Sequence, residues 1–180
     1  SGLPVLIEEG TRAHGICVKW KGSGKSLANF VVVGAGYGIG AAIFIDHRLY
    51  EGTNNKAGEL GHTVVKCDGV PCTCGNTGCL ETIASGRAIE KRAARGIESD
   101  ESQTLYDLTH GDASHVTAHD VAVAASMGDA FAVSLLEEAG RSLGLALANV
   151  AQILNPSHII ITGGLKHAGP PFIDALQSEL

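Results

Sequence analysis

Residues 29–46, NFVVVGAGYGIGAAIFID, contain two apolar runs on either side of a glycine-rich bend. The runs are rich in valine, isoleucine, alanine and phenylalanine, and continuous apolar character of this kind is typical of strands buried in a sheet. Glycine has no side chain to obstruct a tight connection between strands. The stretch therefore predicts two strands, at 29–35 and 39–46, joined at the bend.

The remainder of the chain alternates between strand and helix patterns. Apolar and helical periodicities predict a short strand at 62–66, a helix from Leu80 to Gly96, a short helix within 97–119, a long helix at 129–154, a strand in SHIIITGGL and the start of a helix in PPFIDALQSEL. This order predicts an α/β fold in which helices cover the faces of a mixed sheet. With 180 residues and 44% hydrophobic content, the chain can bury one sizeable core.

Composition limits the classes of function. No apolar run is long enough to span a bilayer and none resembles a signal peptide, so we expect a soluble, cytoplasmic protein without a membrane partner. Lys19, Lys21 and Lys25 surround Trp20, a pattern sometimes found in nucleic-acid sites. Because the formal net charge is −6 and no recognition-helix pattern is present, a solvated loop is the favoured interpretation of these lysines.

Three of the five cysteines lie within CTCGNTGC, residues 72–79. A disulfide, a reactive thiol, a metal site and simple packing of thiols are the alternatives. In a reducing compartment, clustered cysteines more often hold a metal than a disulfide. His62 precedes the cluster and completes a four-ligand set that is common at structural Zn²⁺ sites: His62, Cys72, Cys74 and Cys79. Cys67 lies outside the tight turn, and Cys17 is expected to be a small buried residue.

The segments NFVVVGAGYGIGAAI, GELGH, CTCGNTGCLET and NPSHIIITGGL occur in an order and at spacings that resemble the ROK family. That family comprises bacterial sugar-responsive transcriptional repressors and sugar kinases built on the actin-like ATPase fold, which is ribonuclease H-like. The resemblance implies that residues 1–180 form a single second lobe of the sugar-binding domain, with a zinc loop at about 59–82. It also implies that the first lobe and the DNA-binding winged helix of the repressor branch lie outside this chain.

Two departures from the kinase pattern follow from the resemblance. The kinases have an Asn-Asp pair whose Asp is the general base, and the matching stretch VLIEEGTRAHG places Glu9 and Gly10 there. A register shifted by one residue would place Glu9 at the base position, with a poorer match elsewhere. The kinases' second phosphate loop, Gly-Thr-Gly-x-Gly, corresponds to GYGIG, in which Tyr37 replaces the small hydroxyl residue. Both departures predict a protein that is not a kinase.

The resemblance also assigns sugar contacts. Glu59, His62 and Glu81 match the residues that contact sugar hydroxyls in the family, and paired carboxylates can accept hydrogen bonds from adjacent hydroxyls. One ring nitrogen of His62 would face Zn²⁺ and the other the sugar. Taken singly, Glu59 and Glu81 could equally be ordinary surface carboxylates.

The predicted function is the sugar-sensing and dimerisation domain of a ROK-type transcriptional repressor, without catalytic activity. We expect a sugar effector, a homodimer, structural Zn²⁺ and DNA contact through an amino-terminal domain outside this chain. The alternative is a lobe of a zinc-containing ROK kinase that phosphorylates a hexose with ATP. A third interpretation is a zinc-stabilised scaffold that binds a protein partner and no sugar.

Overall fold

The computed structural model describes residues 2–5 and 7–180. Within these residues, four strands and seven α-helices succeed one another along the chain. Their bounds are α1 Gly10–Lys21, β1 Phe30–Ala35, β2 Ile39–Ile45, β3 Arg48–Leu49, α2 Glu81–Ala84, α3 Gly86–Glu98, α4 Gln103–Leu108, α5 Ala118–Ser126, α6 Ala130–Leu154, β4 His158–Thr162 and α7 Pro170–Gln177.

The strands form one mixed sheet in the order β3-β2-β1-β4. The pairs β1–β2 and β2–β3 are antiparallel, whereas β4 runs parallel to β1. The predicted strands at the glycine bend and in SHIIITGGL are therefore confirmed, as is the α/β architecture with a mixed sheet.

The two faces of the sheet are covered unequally. Alternate residues of β1 and β2, including Val31, Val33 and Ala41, pack into the large core with helices α2–α7. The opposite face carries Phe30 and Phe44, whose rings stack at a centroid separation of 4.6 Å beneath α1. Helix α1 approaches β2 closely because Gly15 has no side chain: a Cβ there would lie 2.3 Å from Cβ of Ala42.

The prediction of a solvated loop for the lysines around Trp20 is wrong for Lys19 and Lys21, which lie in a helix, but holds for Lys25, which is exposed in the turn after that helix. Helix α1 runs through Lys21, and Lys19 is buried at 9% exposure. The Lys19 ammonium group donates to the carbonyl oxygen of Leu27 at 2.6 Å and lies 3.0 Å from Nδ1 of His47. It is buried because these polar partners replace its hydration. Cys17, which was expected to be buried, is exposed on the same helix.

The predicted helix at 80–96 is divided at Ser85. The backbone of Ser85 is extended, and its Oγ accepts a hydrogen bond from the backbone N–H of Ala88. Ser85 thereby caps the start of α3. Helix α3 then continues through Gly96 to Glu98. Gly96 is a site of close packing, because a Cβ there would lie 2.2 Å from the ring of Phe131.

The long helix was predicted closely. Asp129 caps α6 by accepting a hydrogen bond from the backbone N–H of Ala132, and Asn155 ends it in the left-handed conformation. The predicted short helix within 97–119 is α4. Among the described residues no single helix is both long and apolar enough to cross a membrane; α5 and α6 reach that length and composition only as a pair bent by 118°.

The segment at 62–66 does not form a strand. Val64 makes an isolated bridge to Cys79, and the backbone N–H of Val65 donates to the carbonyl of Gly78. This segment is held by the cysteine-rich loop that follows it. It is also anchored to the helices, because Lys66 and Arg92 both pair with Glu138 on α6.

We predict that the Glu138 anchor stabilises the protein in a pH-dependent way. Partial burial raises the pKa of Glu138, but the hydrogen bond and charge of Arg92, with the charge of Lys66, outweigh it, so the pKa lies below its ordinary value of 4.5. A depressed pKa in the folded state stabilises the protein above the unfolded value, and the contribution is lost as the pH falls through the folded value.

Glu138→Gln should therefore lower the free energy of unfolding at neutral pH by up to about 1 kcal/mol, a modest figure because the side chains are partly exposed. The difference from the unsubstituted protein in urea titrations should shrink as the pH falls below 4.5. Glu137→Gln, which removes an exposed pair with Arg141, is the matched control. A difference that stays constant with pH would contradict the prediction.

Candidate functional site

The side chains of His62, Cys72, Cys74 and Cys79 converge on one point. Their ligand atoms all lie within 4.8 Å of one another. Sγ of Cys74 is 3.6 Å from Sγ of Cys79, and Sγ of Cys72 is 3.6 Å from Nδ1 of His62. Tetrahedral Zn²⁺ with Zn–S bonds of about 2.3 Å separates neighbouring ligand atoms by about 3.8 Å. The four residues predicted from the sequence thus have a spacing that fits such an ion.

The loop that carries the cysteines folds through local hydrogen bonds and glycines. The backbone N–H of Cys72 donates to the carbonyl of Asn76 at 2.7 Å, and that of Gly75 donates to the carbonyl of Cys72 at 3.1 Å. Gly75 and Gly78 adopt φ angles of 97° and 72°, which residues with a Cβ rarely adopt. A Cβ on Gly78 would also lie 1.6 Å from the carbonyl oxygen of Lys66, so only glycine allows this approach.

The thiols differ in their electrostatic surroundings. A hydrogen bond from the backbone of Cys74 lowers the pKa of Cys72 to about 7. Burial raises the pKa of Cys79 to about 12. A bound cation deprotonates its thiol ligands, so an ion would convert the buried thiol of Cys79 into a compensated thiolate.

His62 connects this cluster to a cavity of about 360 Å³, which we call the carboxylate cavity. The lining includes Glu9, Gly10, Arg12, Asn55, Glu59, His62 and Glu81. Nδ1 of His62 faces Cys72, while its Nε2 lies 3.9 Å from Oε2 of Glu59. The two ring nitrogens therefore face the cluster and the cavity respectively.

Glu81 is the first residue of α2, directly after the cysteine loop. Its Oε2 accepts a hydrogen bond of 3.0 Å from the backbone N–H of Ile39, the first residue of β2. The cavity volume lies within the range of about 300–1,000 Å³ that is usual for small-molecule sites. The structure thus brings Glu59, His62 and Glu81 together at one cavity, where their polar atoms can accept or donate hydrogen bonds.

Glu9 is engaged in capping a helix. Its two carboxylate oxygens accept hydrogen bonds of 2.9 Å from the backbone N–H groups of Thr11 and Arg12, at the start of α1. Gly10, the first residue of α1, has open space around it: a Cβ there would meet nothing within 4 Å. No side chain therefore projects into the cavity from Gly10.

Arg12 is a cavity residue that the sequence interpretation missed. It is 8% exposed, and its guanidinium group pairs with Glu8 at 2.6 Å and donates to the carbonyl of Asn55 at 2.8 Å. Its Nε has no hydrogen-bond partner among the described residues. The spacing of Arg12 four residues after Glu8 was a signal for a helical ion pair, although it did not indicate the cavity.

Two further cavities flank the glycine bend. The glycine cavity, of about 220 Å³, has eight lining residues, of which Gly10, Gly34, Gly36, Gly38 and Gly163 are five. The helix cavity, of about 360 Å³, is lined in part by Tyr37, Glu90, His119 and His167. Tyr37 is 70% exposed, so its ring stands at the mouth of the helix cavity without being packed.

Comparison with known proteins identifies relatives of two kinds. The ROK family model matches residues 1–180. The glucokinase of Halalkalibacterium halodurans is 39% identical over 180 residues, covering 98% of this chain and 54% of that protein. The xylose repressor of Caldicellulosiruptor bescii is 31% identical over 182 residues, covering 99% of this chain and 44% of that protein. The chain spans about half the length of these curated relatives.

Among solved structures, the similar proteins again include both a sugar kinase and a transcriptional regulator. A ROK family glucokinase from Streptomyces griseus, in complex with glucose and AMPPNP, superimposes with a TM-score of 0.86 at 31% identity, covering 99% of this chain and 58% of that chain. A ROK family transcriptional regulator, a homologue of the E. coli MLC protein, gives a TM-score of 0.86 at 34% identity, covering 99% of this chain and 44% of that chain. The predicted fold class, an actin-like ATPase lobe, is confirmed.

We predict that Cys74→Ser weakens metal binding and lowers the thermal stability of the protein together. A serine hydroxyl is a poor ligand for Zn²⁺, and the binding energy of a structural ion contributes directly to folding. Elemental analysis should detect one zinc per chain before the substitution and less after it, with a lower melting temperature. Cys67→Ser, at an exposed thiol outside the cluster, is the matched control. A folded, unsubstituted protein that contains no zinc would refute the prediction.

Proposed function

The chain belongs to the ROK family, and on that premise we propose that it is the second, sugar-binding lobe of a transcriptional repressor that binds its sugar without phosphorylating it. The first lobe and a DNA-binding domain would lie in a longer protein of which residues 1–180 are a part. The shared sugar chemistry of the family's repressors and kinases supports a sugar ligand. The choice of the repressor branch rests on individual residues.

The observation that carries the proposal is the absence of a side chain at Gly10. A hydroxyl that attacks a phosphoryl group needs a positioned acceptor for its proton, and Gly10 stands where the family resemblance places that acceptor. Glu9 is adjacent, but both its oxygens already accept hydrogen bonds from the first turn of α1. Turning Glu9 toward a ligand would uncap the helix, at a cost of about 1 kcal/mol.

Glu59, His62 and Glu81 are proposed as the contacts to sugar hydroxyls. Each carboxylate can accept two hydroxyl hydrogen bonds, and Glu81 is held in place by the backbone of Ile39. The Nε2 of His62 lies on the cavity side of the ring. Recognition of the ground state can persist in such a site after stabilisation of the transition state is lost.

Zn²⁺ is proposed as a structural ion bound by His62, Cys72, Cys74 and Cys79. Four protein ligands complete a tetrahedral shell and leave no open position for a reacting water. By binding Nδ1 of His62, the ion would fix the tautomer and direction of Nε2. We further propose a cytoplasmic homodimer, since a repressor that binds a palindromic operator needs twofold symmetry, with DNA contacted by the amino-terminal domain.

A second candidate is a lobe of a ROK sugar kinase. The glucokinase relative at 39% identity and the helix cavity beside the glycine bend favour it, because a nucleotide could bind there. Against it, Tyr37 occupies the position of the small hydroxyl residue in the kinases' phosphate loop. A bulky phenol at that position cannot approach a phosphate as closely as a threonine.

We predict that the full-length protein binds a hexose or pentose and shows no ATP-dependent phosphorylation of it. Loss of a general base alone slows turnover by about a hundredfold to ten-thousandfold. Glu81→Ala should lower sugar affinity by about tenfold or more, because it removes hydrogen bonds to a charged acceptor. Calorimetry and a coupled ATP assay measure the two effects.

Glu98→Ala, at an exposed position at the end of α3, is the control for Glu81→Ala. Rapid ATP-dependent phosphorylation of any hexose or pentose tested would contradict the repressor proposal and favour the kinase. Absence of binding to every sugar would favour the scaffold interpretation.

A further inference from the structure

The carboxylate cavity and the glycine cavity share part of their walls. Gly10, Thr11 and Gly38 line both cavities. Apart from its chain neighbours Glu9 and Thr11, a Cβ at Gly10 would meet nothing within 4 Å, so Gly10 itself places no side chain between the two spaces. A group bound in the carboxylate cavity can therefore extend past Gly10 toward the glycine bend.

The extension has room for a substituent. The glycine cavity measures about 220 Å³ beside the 360 Å³ of the carboxylate cavity, and five of its eight lining residues are glycines. Its side-chain polar groups come from Thr11, His14 and Thr162. Hydroxyl, imidazole and peptide groups of this kind suit the hydroxyls of a second sugar ring.

The charges near the shared wall indicate an uncharged substituent. Glu81 stands at this wall, since its Oε2 would lie 2.9 Å from a Cβ on Gly38. Within residues 2–5 and 7–180, neither Glu59 nor Glu81 forms an ion pair with a lysine or arginine. Arg12, the arginine of the carboxylate cavity, is already paired with Glu8. An anionic group in the glycine cavity would therefore face uncompensated carboxylates.

We propose that the ligand is a neutral disaccharide, with one ring in the carboxylate cavity and the second crossing Gly10 into the glycine cavity. The inference rests on the proposed sugar-binding function and adds the size and charge of the ligand. The hydroxyl that faces Gly10 carries the glycosidic bond. Gly10 then acts as a specificity residue, because the missing side chain leaves the path for the second ring.

The test is calorimetric titration of the full-length protein with matched sugars. Glucose is compared with maltose, cellobiose and isomaltose, galactose with lactose and melibiose, and glucose 6-phosphate serves as the anionic probe. At least one disaccharide should bind about tenfold more tightly than its parent monosaccharide. Glucose 6-phosphate should bind more weakly than glucose.

Gly10→Asp is the decisive variant, because it places a carboxylate between the two cavities at a position where the backbone accepts one. It should lower the affinity for the disaccharide relative to that for the parent monosaccharide by about tenfold or more, because the carboxylate blocks the second ring but can accept a hydrogen bond from the free hydroxyl of the monosaccharide. Ala130→Asp introduces the same side chain at the exposed first residue of α6 and should change neither affinity. Gly10→Ala should weaken disaccharide binding by less than Gly10→Asp does. If its melting temperature equals that of the unsubstituted protein, misfolding is excluded as the cause of the weaker binding.

The inference fails if only monosaccharides bind, if glucose 6-phosphate binds more tightly than every neutral sugar, or if Gly10→Asp weakens monosaccharide and disaccharide equally. Absence of binding to this panel and to every hexose and pentose tested for the proposed function would instead overturn that function. The two failures are therefore distinguishable.

Discussion

The hydrogen bond from the backbone N–H of Ile39 to Oε2 of Glu81 joins the sheet to the cysteine-rich loop. Ile39 begins β2 immediately after the glycine bend, and Glu81 begins α2 two residues after the last cysteine, Cys79. The surrounding chain approaches so closely that a Cβ on Gly61 would lie 2.4 Å from the carbonyl oxygen of Ile39. The central strand pair, the cluster of His62 and the three cysteines, and the carboxylate cavity consequently have one common junction. A displacement at this junction would move all three.

The cluster and the cavity also share His62. Its Nδ1 lies among the thiols and its Nε2 lies near Glu59, so the ring is fixed from one side and available from the other. A histidine held only by side-chain packing could rotate and exchange its two nitrogens. Coordination of one nitrogen removes that freedom, which lowers the entropy lost when a ligand binds. Under the proposed function, a structural ion would thus contribute to sugar recognition without contacting the sugar.

Under the proposed function, recognition and chemistry are separable because they use different atoms. The groups proposed to bind hydroxyls come from the loop that contains Glu59 and from α2, whereas the base position of the kinases lies at the start of α1. Replacement of one side chain by hydrogen at Gly10 leaves the backbone of α1 and its cap intact. The same change enlarges the space available to the ligand. Under the proposed function, a repressor would gain from both consequences, since its signal would not be consumed and its specificity could differ from that of a related kinase.

The sequence by itself determined the features that depend on local pattern. The continuous apolar runs indicated β1, β2 and β4, the helical periodicity of residues 129–154 indicated α6, and the spacing of Cys72, Cys74 and Cys79 indicated a cluster that could hold a metal. Tertiary structure decided what depends on distant partners. Lys19 is buried because carbonyl groups of the following loop and His47 surround it. Gly96 lies within a helix and does not end it, because the ring of Phe131 packs where a side chain at this position would be. Arg12 lies in the cavity because its guanidinium group donates to the carbonyl of Asn55. That residue is 43 positions away in the sequence, and no local pattern encodes such a contact.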